Sequence, residues 1–176
     1  MFREPGCVNI RQAASRAKLN SVASQFRILH FATHGLYDES NPMYSGISLY
    51  PGEGGDGFWP AREIAEADLN ADLVVFSACD TARGKIRSGE GLLGLSWALF
   101  VGGSRSSVLS QWQVNDASTS ELMKQFYGGM QPAIALGDSV LHRAESLRAA
   151  QLKIATGGKW PDPYYWAPFA LIGDWR

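Results

Sequence analysis

An α/β fold with a mostly parallel central sheet and helices on both faces is what this sequence predicts, and three observations carry it. Two short apolar runs, Ile28 to Phe31 and Leu73 to Phe76, show no clean polar alternation, as strands covered on both faces do. The strand-like segments are separated by stretches of helical periodicity long enough to cross over between parallel strands. A histidine and a cysteine, His34 and Cys79, each come three positions after one of the two apolar runs, at the carboxyl ends where such sheets receive their ligands.

Taken in order, Gln12 to Ala23 is rich in Ala, Lys, Arg and Leu and predicts a helix before the first strand, Arg27 to Ala32. Ser40-Asn41-Pro42 predicts a turn, Gly46 to Tyr50 a short strand, Pro51 to Gly57 a glycine-rich loop and Pro60 to Ala67 a helix. After the Leu73 to Phe76 strand and Cys79 comes a basic loop, Thr81 to Ser88. A mostly buried helix then runs through Leu92, Leu93, Leu95, Trp97, Leu99 and Phe100 to a stop at Gly102-Gly103. Ser106 to Val114 predicts a strand, and Asn115 or Asp116 caps a helix to Tyr127. Val140, Ala144, Leu147 and Ile154 recur at helical spacing, so Ala135 to Ala155 predicts a long amphipathic helix that carries His142. Trp166 to Ile172 closes the sheet.

Composition narrows the function classes. The 176 residues are 45% hydrophobic and 19% charged, which suits one domain spanning 1–176 with its own core. Lys plus Arg total 16 against 17 Asp plus Glu, a net charge of −1 that gives no general pull toward nucleic acid or an anionic membrane. No apolar run approaches the roughly 20 residues of a membrane span, and no signal peptide is evident. Cys7 and Cys79 do not make a disulfide framework, which fits a reducing cytoplasm.

Several patterns resemble sites without meeting their physical requirements. Gly52, Gly54 and Gly57, and again Gly89, Gly91 and Gly94, match G-x-G-x-x-G, but neither set joins a strand directly to a helix as a dinucleotide site requires. His30 and His34 have the spacing of a zinc protease pair, yet Phe31 stands where the glutamate belongs and the segment is a strand, so no metal is expected. His30, on a covered strand, reads as a core histidine or a support for His34. The cluster Arg83, Lys85 and Arg87 reads as a solvated loop, with a self-cleavage segment as the functional alternative.

His34 and Cys79 lie 45 positions apart, against the roughly 50 of one family of cysteine proteases. Around them, HFATHG, NPMYSGISL, AREIAEADLNADLVVFSACDTARG, GEGLLGLSWALFVGGSRSSVLSQWQVND and PYYWAPFALIGDWR together resemble the CHAT domain, a bacterial caspase-like module of the clan of caspases, legumains and separases. The similarity runs from about Gln12 to Arg176. It implies a caspase-like three-layer α/β/α sandwich with a mostly parallel central sheet. Family members carry His-Gly at the end of one strand and Ala-Cys at the end of the next, which His34-Gly35 and Ala78-Cys79 match.

What the resemblance implies is a cysteine endopeptidase without metal or other cofactor, acting on a protein or peptide substrate in regulated bacterial signalling or defence. Cys79 would be the nucleophile, His34 its proton partner, and the backbone N–H groups of Gly35 and Cys79 the oxyanion donors. No third residue to orient His34 is evident; Asp38 and Glu39 are near in sequence but lie in a loop. By analogy with caspases, Trp112, Gln113 and Asp116 are candidates for substrate binding, against core packing for Trp112 and a helix cap for Asp116. Asp80 and Glu90 add acidity that could favour a basic substrate residue. Family members usually follow TPR repeats, so the resemblance points to the C-terminal part of a longer TPR-containing architecture, lacking a first strand, with those repeats or a regulatory partner as trigger. The alternative is a non-cleaving protein-interaction module on the same shell.

Overall fold

A computed structural model describes residues 8–38, 40–52, 55–77, 79–80, 90–138 and 140–176. In chain order the strands are β1 (Ile28–Phe31), β2 (His34–Leu36), β3 (Gly46–Ser48), β4 (Phe58–Pro60), β5 (Leu73–Phe76), β6 (Cys79–Asp80), β7 (Ser106–Ser110) and β8 (Phe169–Gly173). The helices are α1 (Arg16–Val22), α2 (Ala61–Ile64), α3 (Glu90–Val101), α4 (Asp116–Leu136), α5 (Arg143–Thr156) and α6 (Pro163–Trp166).

Every side chain of β5 is buried from water, and successive residues face opposite layers. Val74 and Phe76 pack with Leu95, Ala98 and Leu99 of α3 and with Ala61 and Ile64 of α2. Leu73 and Val75 pack with Leu122, Phe126 and Met130 of α4 and with Leu147 and Ile154 of α5. An unbroken apolar run is therefore two alternating half-faces, each covered by helices, which is the physical content of the three-layer sandwich. The main sheet has the order β1-β5-β7-β8: β1, β5 and β7 are parallel, and β8 closes the edge antiparallel to β7. A second sheet, in the order β4-β3-β2-β6, rides above its carboxyl end.

The entries to three strands are tied by one carboxylate. Asp72 forms ion pairs with Arg27, just before β1, and with Arg105, just before β7. Its carbonyl accepts the Ser106 hydroxyl at 2.7 Å. Arg143, only 1% exposed, sits within 3.7 Å of Asp174 and donates to the carbonyls of Asp174 and Arg176, anchoring the chain end beyond β8.

Several boundaries differ from expectation. The first helix begins later, at Arg16, because Ser15 caps it by accepting the Lys18 N–H. Phe58–Pro60 pairs with β3 as a strand, leaving α2 only Ala61–Ile64. Asn115 caps α4 by accepting the N–H groups of Ala117 and Ser118, and the helix continues past Tyr127 to Leu136 because Met130 and Ala133 bury against α5. The predicted single helix from Ala135 is therefore two pieces: Gly137, at φ 68°, ends α4 in the left-handed region, and α5 starts only at Arg143. His142 precedes that helix at φ 51° and is not on it. The helix before Gly102 is buried on one stripe only; Leu93, Trp97, Phe100 and Val101 are at least half exposed, since α2 and β7 cover a single side of α3.

Among the described residues no helix is long and apolar enough to cross a membrane. Phe126, with no exposure, joins α4 to β5. Truncation by Phe126→Ala should lower the unfolding free energy by about 3–5 kcal/mol, read from the urea midpoint at unchanged m-value.

Candidate functional site

β1, an edge strand of the main sheet with only Leu29 buried, and its parallel neighbour β5 both continue beyond that sheet. After Ala32-Thr33 the path of β1 resumes as β2, and three positions beyond the end of β5 the chain re-enters a strand as β6. The parallel pairing resumes with it, so His34 is the register partner of Cys79 and Gly35 that of Asp80. Parallel neighbours stand about 4.8 Å apart. On its other side β2 pairs with β3, placing His34 opposite Ser48 and Gly35 opposite Ile47, and the Thr33 hydroxyl donates to the Ser48 carbonyl. Side chains on β2 alternate as the pleat requires: His34 and Leu36 are exposed and Gly35 is buried.

Beside His34 opens a cavity of about 650 Å³ between the strand ends and one face of α4. His30, Ala32, Thr33 and Ser77 line its strand side. The α4 side is built at helical spacing, from Asp116 and Ser120 through Met123 and Lys124 to Tyr127, with Val114 just before the helix. At its floor a hydrogen-bonded chain runs through one imidazole. His30 Nε2 lies 2.8 Å from the Ser77 hydroxyl and His30 Nδ1 lies 2.9 Å from the Tyr127 hydroxyl, with the two rings tilted at 5.7 Å between centroids. Desolvation among these walls lowers the His30 pKa to about 4 and pushes the Tyr127 phenol well above its ordinary value. Near pH 7 both groups are neutral; His30 is crowded by these walls, yet its side chain is still exposed to solvent through the open cavity.

The structure thus brings His34 and Cys79 to neighbouring register positions and puts Asp116 on the wall of the cavity that His34 lines. Trp112 and Gln113 lie outside that lining; the Trp112 indole N–H donates to the Tyr164 carbonyl at 3.1 Å and fastens the segment after β7 to α6. Asp38 is occupied in its own loop, its carboxylate accepting the N–H groups of Ser40 and Asn41 at 2.9 Å each. Glu39, Ala78 and the loop with Arg83, Lys85 and Arg87 lie outside the described residues. Asp80 follows Cys79 in β6 and Glu90 opens α3. Gly57, at φ 80°, leads into β4 between two antiparallel strands, not from a strand into a helix, and Gly54 of the same pattern lies outside the described residues. No cluster able to hold a metal ion occurs among the described residues.

His30, expected as a core histidine or a support for His34, lines the cavity with its side chain exposed, which overturns the core reading, and no pattern in the sequence marks Ser77 or Tyr127. Period-two spacing does set His30 and His34 on one face of the strand path, which was the available signal. Tyr127 joins them only through the packing of α4, 97 positions away in the chain.

The chain matches the CHAT domain family over residues 3–174. It is also 26% identical over 114 residues to tetratricopeptide repeat protein 28 of Mus musculus, a match that covers 65% of this chain and 4% of that relative. The chain therefore spans a small fraction of the relative's length.

The depressed His30 pKa has a fixed sign in folding. In the unfolded chain the ring takes a proton below its ordinary value of 6.5, whereas the folded ring refuses it until about 4. Its contribution to stability is then complete above pH 6.5 and is lost as pH falls from there toward 4. Urea unfolding across that window should show a shallower acid-side slope for His30→Gln than for the unaltered chain. Equal slopes, or a ring that titrates near 6.5 by NMR, would contradict the desolvated placement.

Proposed function

Taking as premise that this chain belongs to the CHAT domain family, we propose that it is a cysteine endopeptidase that cleaves protein substrates by thiol acyl transfer. The observation that supports this most directly is the parallel register of His34 with Cys79 at the carboxyl end of the sheet, one strand spacing apart. His34 takes the thiol proton, and the Cys79 sulfur attacks the scissile carbonyl, forming a C–S bond while the carbonyl pair moves to oxygen. The backbone N–H groups of Gly35 and Cys79 serve as oxyanion donors, each worth about 3–4 kcal/mol in acyl-transfer enzymes. Collapse breaks the C–N bond as the imidazolium protonates the departing amine. Water, deprotonated by the same ring, then hydrolyses the thioester and restores the thiol.

The relative's name, tetratricopeptide repeat protein 28, supports a setting in which the domain works with TPR repeats, in its own chain or as a regulatory partner. A reducing compartment such as the bacterial cytoplasm keeps the thiol available. The single domain 1–176 would then be the effector portion of a larger assembly.

Labelling with a peptidyl acyloxymethyl ketone should modify Cys79 selectively and fail in Cys79→Ala. His34→Ala should slow labelling and cleavage by about 100- to 10,000-fold. If new N-termini in a digested proteome are the same for the unaltered chain and Cys79→Ala, the remaining reading is a non-cleaving interaction module, to which the exposed apolar side of α3 at Leu93, Trp97 and Phe100 would be suited.

A further inference from the structure

Resting on the peptidase reading above, we propose that the cavity beside His34 receives the substrate side chain next to the cut and selects a long uncharged residue, such as methionine, leucine, phenylalanine or glutamine, over acidic and basic ones. Location is the first support. The cavity runs from His34, where the scissile bond would lie, to His30 four positions back along the strand path, so a side chain entering beside His34 is directed down between β1 and α4. The walls are the second. Ala32, Val114, Met123 and the Tyr127 ring make them mainly apolar, and about 650 Å³ is ample for a large side chain.

The floor decides the charge. Its polar groups, Ser77, His30 and Tyr127, are linked in a single chain of hydrogen bonds. The imidazole and the phenol are both neutral near pH 7. A carboxylate or ammonium set against these groups and the apolar walls would give up part of its water without an opposite charge beside it. A neutral group loses far less, and the chain has a use for an acceptor. When Tyr127 donates to Nδ1 and Nε2–H donates to Ser77, the Ser77 hydroxyl hydrogen is left to point at the occupant, an amide oxygen or a thioether. The charges that do line the cavity, Asp116 and Lys124, are exposed, opposite in sign and eight positions apart on α4, about 12 Å, so neither sign prevails.

Two readouts test the proposal separately from the peptidase reading. The first compares alkylation of Cys79 by acyloxymethyl ketones that differ only at the residue next to the reactive carbon. Methionine, leucine, phenylalanine and glutamine probes should react about tenfold or more faster than aspartate, lysine or arginine probes. Filling the cavity by Met123→Trp should abolish that advantage while a glycine probe keeps its rate. The second uses Cys79→Ala with 13C-methyl methionine, following the Met123 methyl while the N-acetyl amides of methionine, phenylalanine, aspartate and arginine are added. The neutral amides should shift it and the charged ones should not. Faster labelling by a charged probe overturns the proposal and leaves the peptidase standing. Neutral-selective shifts without any ketone labelling retain the selectivity and sink the peptidase. No Met123 response to any amide overturns the pocket, whatever the ketones do.

Discussion

Complete burial of Leu73, Val74, Val75 and Phe76 between two helical layers is the constraint from which the rest of this structure follows. A strand with no exposed face has to find hydrogen-bond partners on both edges, and β1 and β7 supply them in parallel register. Parallel pairing sends the ends of β1 and β5 out of the same rim of the sheet. The histidine segment and the cysteine segment therefore emerge side by side and pair again as β2 and β6. The relation between His34 and Cys79 is thus a consequence of how the core is filled.

Polar chemistry is divided between the two ends of the sheet. At the entry end, Asp72 holds Arg27 and Arg105, and the buried Arg143 closes on the chain terminus, so charge there is matched by charge and serves to fix strand positions. At the exit end Ser77, His30 and Tyr127 are neutral and joined by hydrogen bonds, and the two charges on the cavity wall, Asp116 and Lys124, are exposed and unpaired with that chain. Paired charges resist rearrangement, while a neutral, partly open site can accept a ligand without first breaking an ion pair. Gly102 illustrates how closely the supporting layer is drawn in: a side chain there would run into the Ile64 carbonyl where α3 meets α2.

Legibility of the fold in the sequence varied with the range of the interaction responsible. The apolar run of β5, the Asn115 cap and the stop at Gly102-Gly103 depend on neighbours a few positions away, and each stands where local chemistry puts it. Hydrophobic periodicity runs on through Ala135 to Ala155 and hides the boundary between α4 and α5, which the backbone sets at Gly137. Likewise Leu93, Trp97 and Phe100 read as core by composition, but only one stripe of α3 meets another element.

For the site, the sequence by itself determined which reactive groups end up at the rim, since His34 and Cys79 each come three positions after a strand whose apolar character is local. It could not determine what surrounds them. Ser77, His30 and Tyr127 lie in three separate segments, and Tyr127 meets His30 only because Phe126 and Met130 draw α4 onto the face of the sheet that Leu73 and Val75 present. Whether a histidine is a buried filler or the floor of a cavity depends on the distance that packing leaves between helix and strand, and one-dimensional order does not encode that distance.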